Sequence, residues 1–122
     1  KVKNVLNNES KGIYQGKIFV KNIAQKTDAY QLSRALLLND TAEFDAKPEL
    51  EIYADDVKCS HGSTSGSIDL NSVHYLKSRG IPEKEAYQML VNGFLSEILE
   101  KLSKGKLKNF LIEKLESQIN GH

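Results

Sequence analysis

The sequence predicts an α+β protein whose β-rich first half gives way to a helical second half. Three observations carry this. β-forming stretches punctuated by glycine fill the chain to about Ile68. From Asp69 the apolar period changes from two residues to that of a helix. No helical pattern separates the strands, and none of their links carries a two-residue hairpin turn such as Asn-Gly. Short strands joined by irregular corners suit a coiled, solenoid-like sheet better than a βαβ sheet. A small sandwich also fits, since no clean repeat period is visible.

Each element has its own signal. Lys1 to Val5 is strand-like, and Gly12 to Val20 is rich in β-formers. Ala35 to Leu38 is a short apolar run ending at the turn signal Asn39-Asp40. Leu50, Ile52 and Ala54 alternate with Glu51, Tyr53 and Asp55, the pattern of a half-buried strand. Asp55-Asp56 breaks it, and Val57 to His61 begins a new alternation. Gly62 to Gly66 is small and polar and reads as a turn or loop. The expected division is a β part over residues 1–68 and a helical part over 69–122.

In the second part Asp69 can cap a helix running to about Arg79, with Gly80 just past its end. Ile81-Pro82 opens a longer helix, with proline expected at its first position and Glu83 and Glu85 favouring the positive end of the dipole. Ala86, Met89, Leu90, Gly93, Phe94 and Ile98 form one apolar stripe. Val91, Leu95, Leu99 and Leu102 widen it to a second face. Two faces fit either a helix docked on both the protein and a partner, or a deeply packed one. Gly105 ends this helix. A third follows with Leu107, Phe110, Leu111, Leu115 and Ile119 on one side.

Composition excludes several classes. The 122 residues amount to one domain's worth of chain. A net charge of +1 gives no basis for binding nucleic acid or an anionic membrane. The single cysteine, Cys59, excludes an internal disulfide and fits a reducing compartment. No apolar run approaches the ~20 residues of a membrane helix. The polar start has no signal-peptide pattern. The missing initiator Met and the immediate strand lead us to expect a piece of a longer chain.

Cys59 and His61 are the candidate site. At i and i+2 on a strand they share a face, and thiolate and imidazole both bind soft or borderline metals. Two readings stay open: Val57 and Cys59 fill a core while His61 ends the strand, or the pair is half a metal site. Two ligands are too few for a closed tetrahedral centre, so another chain or segment would supply the rest. His74 reads as a surface residue and His122 as a frayed terminus. No GxxxxGK[ST], GxSxG or HExxH motif occurs. Ser60 to Ser67 lacks the lysine and the strand-to-helix setting of a phosphate loop. Lys101, Lys104, Lys106, Lys108 and Lys114 read as a solvated basic face.

Four motifs in order carry a family resemblance: Gly16-Lys-Ile-Phe-Val20; Gln25-Lys-Thr-Asp-Ala-Tyr-Gln31 with Leu36-Leu-Leu38; the run from Lys47 through Cys59-Ser-His61-Gly62 to Asp69; and Tyr75-Leu-Lys-Ser-Arg-Gly-Ile81. Glu85-Ala86 and Phe94-Leu-Ser-Glu-Ile98 continue it. The sequence resembles the SufB/SufD family of iron–sulfur cluster assembly scaffolds, with Lys-Cys-Ser-His-Gly on its SufD side. The resemblance implies the end of a right-handed parallel β-helix followed by a C-terminal helical domain. It implies pairing with a SufB-like subunit through the β-helix and docking of the ABC-type ATPase SufC through the helices. The scaffold itself has no ATP site, so hydrolysis would reside in SufC.

The family's interface histidine falls on His61 and the neighbouring cysteine on Cys59, with a partner's cysteine completing a site for a nascent iron–sulfur cluster. Ala86, Met89, Leu90, Phe94 and Ile98 are the expected partner-binding residues. No cofactor or metal is expected in this chain alone. Its few coils would leave an open β-helix end prone to self-pairing. His74 departs from the family's usual aromatic. The expected location is cytoplasmic, or a plastid-type organelle in a eukaryote. Two rivals are a pure interaction module with no cluster ligand and a small metal-binding domain using Cys59 and His61.

Overall fold

The computed structural model describes residues 1–102 and 104–120; His122 lies outside them. The chain divides into two compact units, Lys1–Ser67 and Ile68–His122. The first is made of strands β1 (Val2–Leu6), β2 (Lys11–Val20), β3 (Asp28–Leu37), β4 (Glu43–Ile52) and β5 (Lys58–Ser67). The second holds helices α1 (Leu70–Ser78), α2 (Glu83–Leu99) and α3 (Lys106–Asn120). The class is α+β, as the change of period predicts.

Strands alternate between two sheets, ordered β1-β3-β5 and β2-β4, and every pairing is parallel. This removes the sandwich alternative, which requires antiparallel sheets. Val2 pairs with Ser33, Lys11 with Glu43 and Asp28 with Lys58, so paired residues lie 31, 32 and 30 positions apart. A repeat of this length is absent from the residue pattern because paired positions differ chemically. Gly12 lies beside Phe44, and Gly16 beside Pro48. Backbone groups make the ladder, so spacing repeats while side-chain type does not.

The corners stack at the same interval. Asn8 takes a left-handed conformation (φ 55°), and its N–H donates to the Asn39 side chain at 2.8 Å. Thr41 Oγ1 donates to the Asn8 carbonyl at 2.7 Å. At the next corner Lys26 has φ 64°, and the Asp56 N–H donates to Gln25 Oε1 at 2.9 Å. Asparagine tolerates this conformation better than most residues. Side-chain amides thus satisfy corner backbone groups that no strand can reach.

One face of the β2–β4 pair carries charge. Lys11 meets Glu43 at 3.2 Å, and Lys17 meets Glu51 at 2.6 Å and Glu49 at 3.4 Å. Hydrogen bonds from Lys17 to Glu51, then Glu49, hold its ammonium pKa above the ordinary value. Such exposed pairs add little stability, but they match charge across the observed register. The buried apolar residues of this unit are small: Val20, Ala35, Ala42 and Ala54.

Several expectations need correction. Gly62 to Gly66 is not a turn: it lies inside β5, where Leu32–Leu36 of β3 pair with it residue by residue. Ladder bonds override weak β propensity when a neighbouring strand is already in place. β3 and β4 begin well before the apolar runs that announced them. Leu50 and Ile52 are more exposed than a half-buried strand implies.

In the helical unit the terminal signals hold. Asp69 is the N-cap of α1, accepting from the Asn71 N–H at 3.0 Å and from Ser72 Oγ at 2.5 Å. Arg79 is its C-cap, and Gly80 follows at φ 87°. Pro82 is the N-cap of α2 rather than its first residue. The buried residues of α2 are Ala86, from the first expected face, and Val91, from the second. Ala86 has no exposed surface, whereas Met89 is 50% exposed. Leu107 and Phe110 of α3 are exposed as well.

The cap makes stability depend on pH. The Ser72 hydroxyl, then the Asn71 amide, hold the Asp69 carboxyl below its ordinary value. A depressed folded-state pKa contributes stability above the unfolded value of about 3.9, lost as pH falls through the folded value. Asp69→Ala is expected to lower the unfolding midpoint of the helical unit at pH 7. Urea titrations followed by circular dichroism should show the gap to the parent closing below about pH 4.

Candidate functional site

β5 owes its position to the corner before it. Thr27 Oγ1 donates to the Ala24 carbonyl at 2.8 Å, which shapes the entry to β3. The Lys58 N–H then donates to the Thr27 carbonyl at 2.9 Å and starts the β3–β5 ladder. That ladder sets Cys59 beside Ala29, His61 beside Gln31 and Ser63 beside Ser33. Strand period puts Cys59, His61 and Ser63 on one face, together with Gln31 and Ser33.

Gly62 belongs to the other face. A Cβ there would lie 2.5 Å from the Tyr30 hydroxyl, so glycine leaves room for the phenol across β5. Cys59 is a free, half-buried thiol, and His61 is exposed. β5 is the edge of its sheet. The site is therefore a sulfur and an imidazole on one face of an edge strand.

Chemically this is an incomplete ligand set. Neutral imidazole and thiolate both bind iron or zinc, but a tetrahedral centre needs two more donors. Among the described residues, no three His, Cys, Asp or Glu side chains gather where they could hold a metal.

The other expected residues fall in the helical unit. Met89 is half-exposed, Leu90, Phe94 and Ile98 are partly buried, and Ala86 is enclosed and offers nothing to a partner in this arrangement. Leu90 also lines a shallow depression with Asp69, Ser72 and Tyr75. His74 is exposed on α1, and the Arg79 guanidinium stacks 5.3 Å from the Tyr75 ring centre. Lys101, Lys104, Lys106 and Lys114 are exposed, and Lys108 partly so. Sequence reasoning missed Gln31 and Tyr14 as neighbours of the site. Only the 30-residue offset from Gln31 to His61 could have linked them.

Residues 1–94 match the family model described as "SUF system FeS cluster assembly, SufBD core domain". The chain belongs to the SufB/SufD family. It is 40% identical over 119 residues to the iron–sulfur cluster assembly protein SufD of Escherichia coli, covering 98% of this chain and 28% of that protein. To SufD of Bacillus subtilis it is 34% identical, over 94% of this chain and 26% of the relative. To the chloroplastic protein ABCI7 of Arabidopsis thaliana it is 36% identical, over 86% and 22%. The chain spans about a quarter of the length of these relatives. Within the SufB/SufD family it is SufD-like.

Because His61 is exposed, its removal leaves no cavity. His61→Ala is expected to change unfolding free energy by no more than about 0.5 kcal/mol, the range for surface substitutions. Urea denaturation checks this and shows whether functional losses in that variant can be read as chemical.

Proposed function

We propose that this chain is the C-terminal part of a SufD-type scaffold that helps assemble iron–sulfur clusters. In this reading the first unit is the last coils of a right-handed parallel β-helix and the second is the helical domain. Parallel strands alternating between two sheets at a spacing near 30 residues support the β-helix. The scaffold is not itself an enzyme: ATP hydrolysis belongs to a SufC-like ATPase.

The observation that carries the functional reading is the placement of Cys59 and His61 on one face of the edge strand β5. An edge strand presents unpaired backbone groups to another chain. A SufB-like subunit approaching that edge would bring its own cysteine to the same face. The cluster is cargo there, held by His61 and Cys59 from this side and by the partner from the other. Imidazole in place of thiolate shifts the cluster's potential and lowers its negative charge, which suits a cluster that must leave. The half-exposed Met89, with Leu90, Phe94 and Ile98 beside it, is the proposed docking surface for the ATPase. The working compartment is the cytoplasm, or a plastid in eukaryotes; SufD of a bacterium and a protein named chloroplastic are both relatives.

Two variants of the full-length protein, co-expressed with its partners, test the reading. His61→Ala should purify as an assembled complex that has lost most of its iron and acid-labile sulfide. Unchanged iron and sulfide content would reduce the chain to an interaction module. Met89→Asp should instead lose co-purifying ATPase, because a charge desolvated at an apolar contact is costly. Retention of stoichiometric ATPase would move the docking surface elsewhere.

A further inference from the structure

We propose that Gln31 is a positioning residue for His61: its side-chain oxygen accepts the N–H of one ring nitrogen and so presents the other nitrogen to the cluster. This rests on the reading of His61 as a ligand. Gln31 and His61 are register partners on adjacent strands and point to the same face. Adjacent strands lie about 4.8 Å apart, so the Gln31 side chain and the His61 ring are within reach of each other.

The amide is already oriented for the role. Gln31 Nε2 donates to the Tyr14 hydroxyl of β2 at 3.2 Å. Gly16 makes room for this bond: a Cβ there would come within 2.2 Å of Nε2 and 2.6 Å of the Tyr14 oxygen. With its nitrogen held, the amide leaves Oε1 as the free acceptor. That oxygen is buried and has no hydrogen-bond partner among the described residues. A buried carbonyl without a donor is costly and usually has a reason. His61 does not make this bond in the unloaded chain; on binding the cluster its imidazole N–H, which a metal-bound histidine almost always donates to an acceptor, would supply the missing partner. The bond fixes the ring's tautomer, and with it which nitrogen carries the lone pair for iron.

The test uses full-length protein co-expressed with its partners, with iron and acid-labile sulfide measured in the purified complex. Gln31→Met keeps length and bulk but removes the acceptor; its cluster loading should fall about 10-fold or more, as for other residues that orient a ligand. Gln31→Glu keeps an oxygen at that point and should load like the parent. Parental loading in Gln31→Met overturns the proposal, as does a loss in Gln31→Glu equal to that in Gln31→Met. His61→Ala in parallel separates the two claims. If it loads normally, the ligand reading falls and this inference with it. If it loses loading while Gln31→Met does not, only the role of Gln31 falls. Should Gln31→Met fail to assemble, a crystal structure of the cluster-loaded parent complex decides. Oε1 within about 3.2 Å of a His61 ring nitrogen supports the proposal, and a longer separation from both nitrogens overturns it.

Discussion

The first unit depends on one constraint, the parallel backbone ladder that joins each strand to the strand two elements later. Parallel pairing leaves no freedom for a hairpin, so the chain must travel through the other sheet before it can return. The length of that excursion sets the spacing, which varies only from 30 to 32 residues. Corner contacts such as Asn8 with Asn39 and Gln25 with Asp56 repeat at 31. A one-residue slip would turn every side chain of a strand to its opposite face. It would also carry His61 away from Gln31 and put Gly62 on the inner face. The site is thus a consequence of register, and register is a consequence of loop length.

That constraint explains what the sequence made legible. Local signals read correctly: Asp69 as a cap, Gly80 as the residue past a helix end, and the β-forming stretch of β2. These need only near neighbours. Gly62 to Gly66 did not read as strand, because what holds it extended is β3, thirty residues earlier. The pairing of Cys59 with His61 on one face was legible from strand period alone, but Gln31 and Tyr14 were not. The apolar stripe of α2 was legible at helical spacing, but which of its residues are covered, Ala86 fully and Met89 half, depends on what packs there.

The interior of the strand unit is unusually polar. Asn4 Nδ2, Gln31 Oε1 and Ser33 Oγ are buried with no partner among the described residues. Each such atom costs on the order of 1–3 kcal/mol. The buried apolar residues are mostly alanines, and burying a methyl group returns far less than burying a leucine. The large apolar side chains of this unit, among them Leu6, Ile18, Leu32, Leu36 and Phe44, are only partly buried. The ladder and the stacked corners add to what this partial burial contributes. Gln31 and Ser33 lie on the same strand face that continues to Cys59 and His61, so the unit is least well satisfied beside its candidate site.

The two sheets also end differently. β4, the last strand of its sheet, carries Glu43, Asp45, Lys47, Glu49 and Glu51 on one face, with Pro48 among them. Charge and proline are the usual means by which a strand edge resists further pairing, since charges repel an approaching strand and proline offers no N–H. β5 has neither beyond Lys58 at its start; Ser60, Gly62, Ser63, Thr64, Ser65, Gly66 and Ser67 are small and nearly uncharged. Small side chains leave the backbone groups of β5 open to approach. They also explain why this strand looks like a loop in sequence. The composition that hides β5 from a propensity argument is the composition that keeps its edge receptive. Of the two edges, the receptive one holds the thiol and the imidazole.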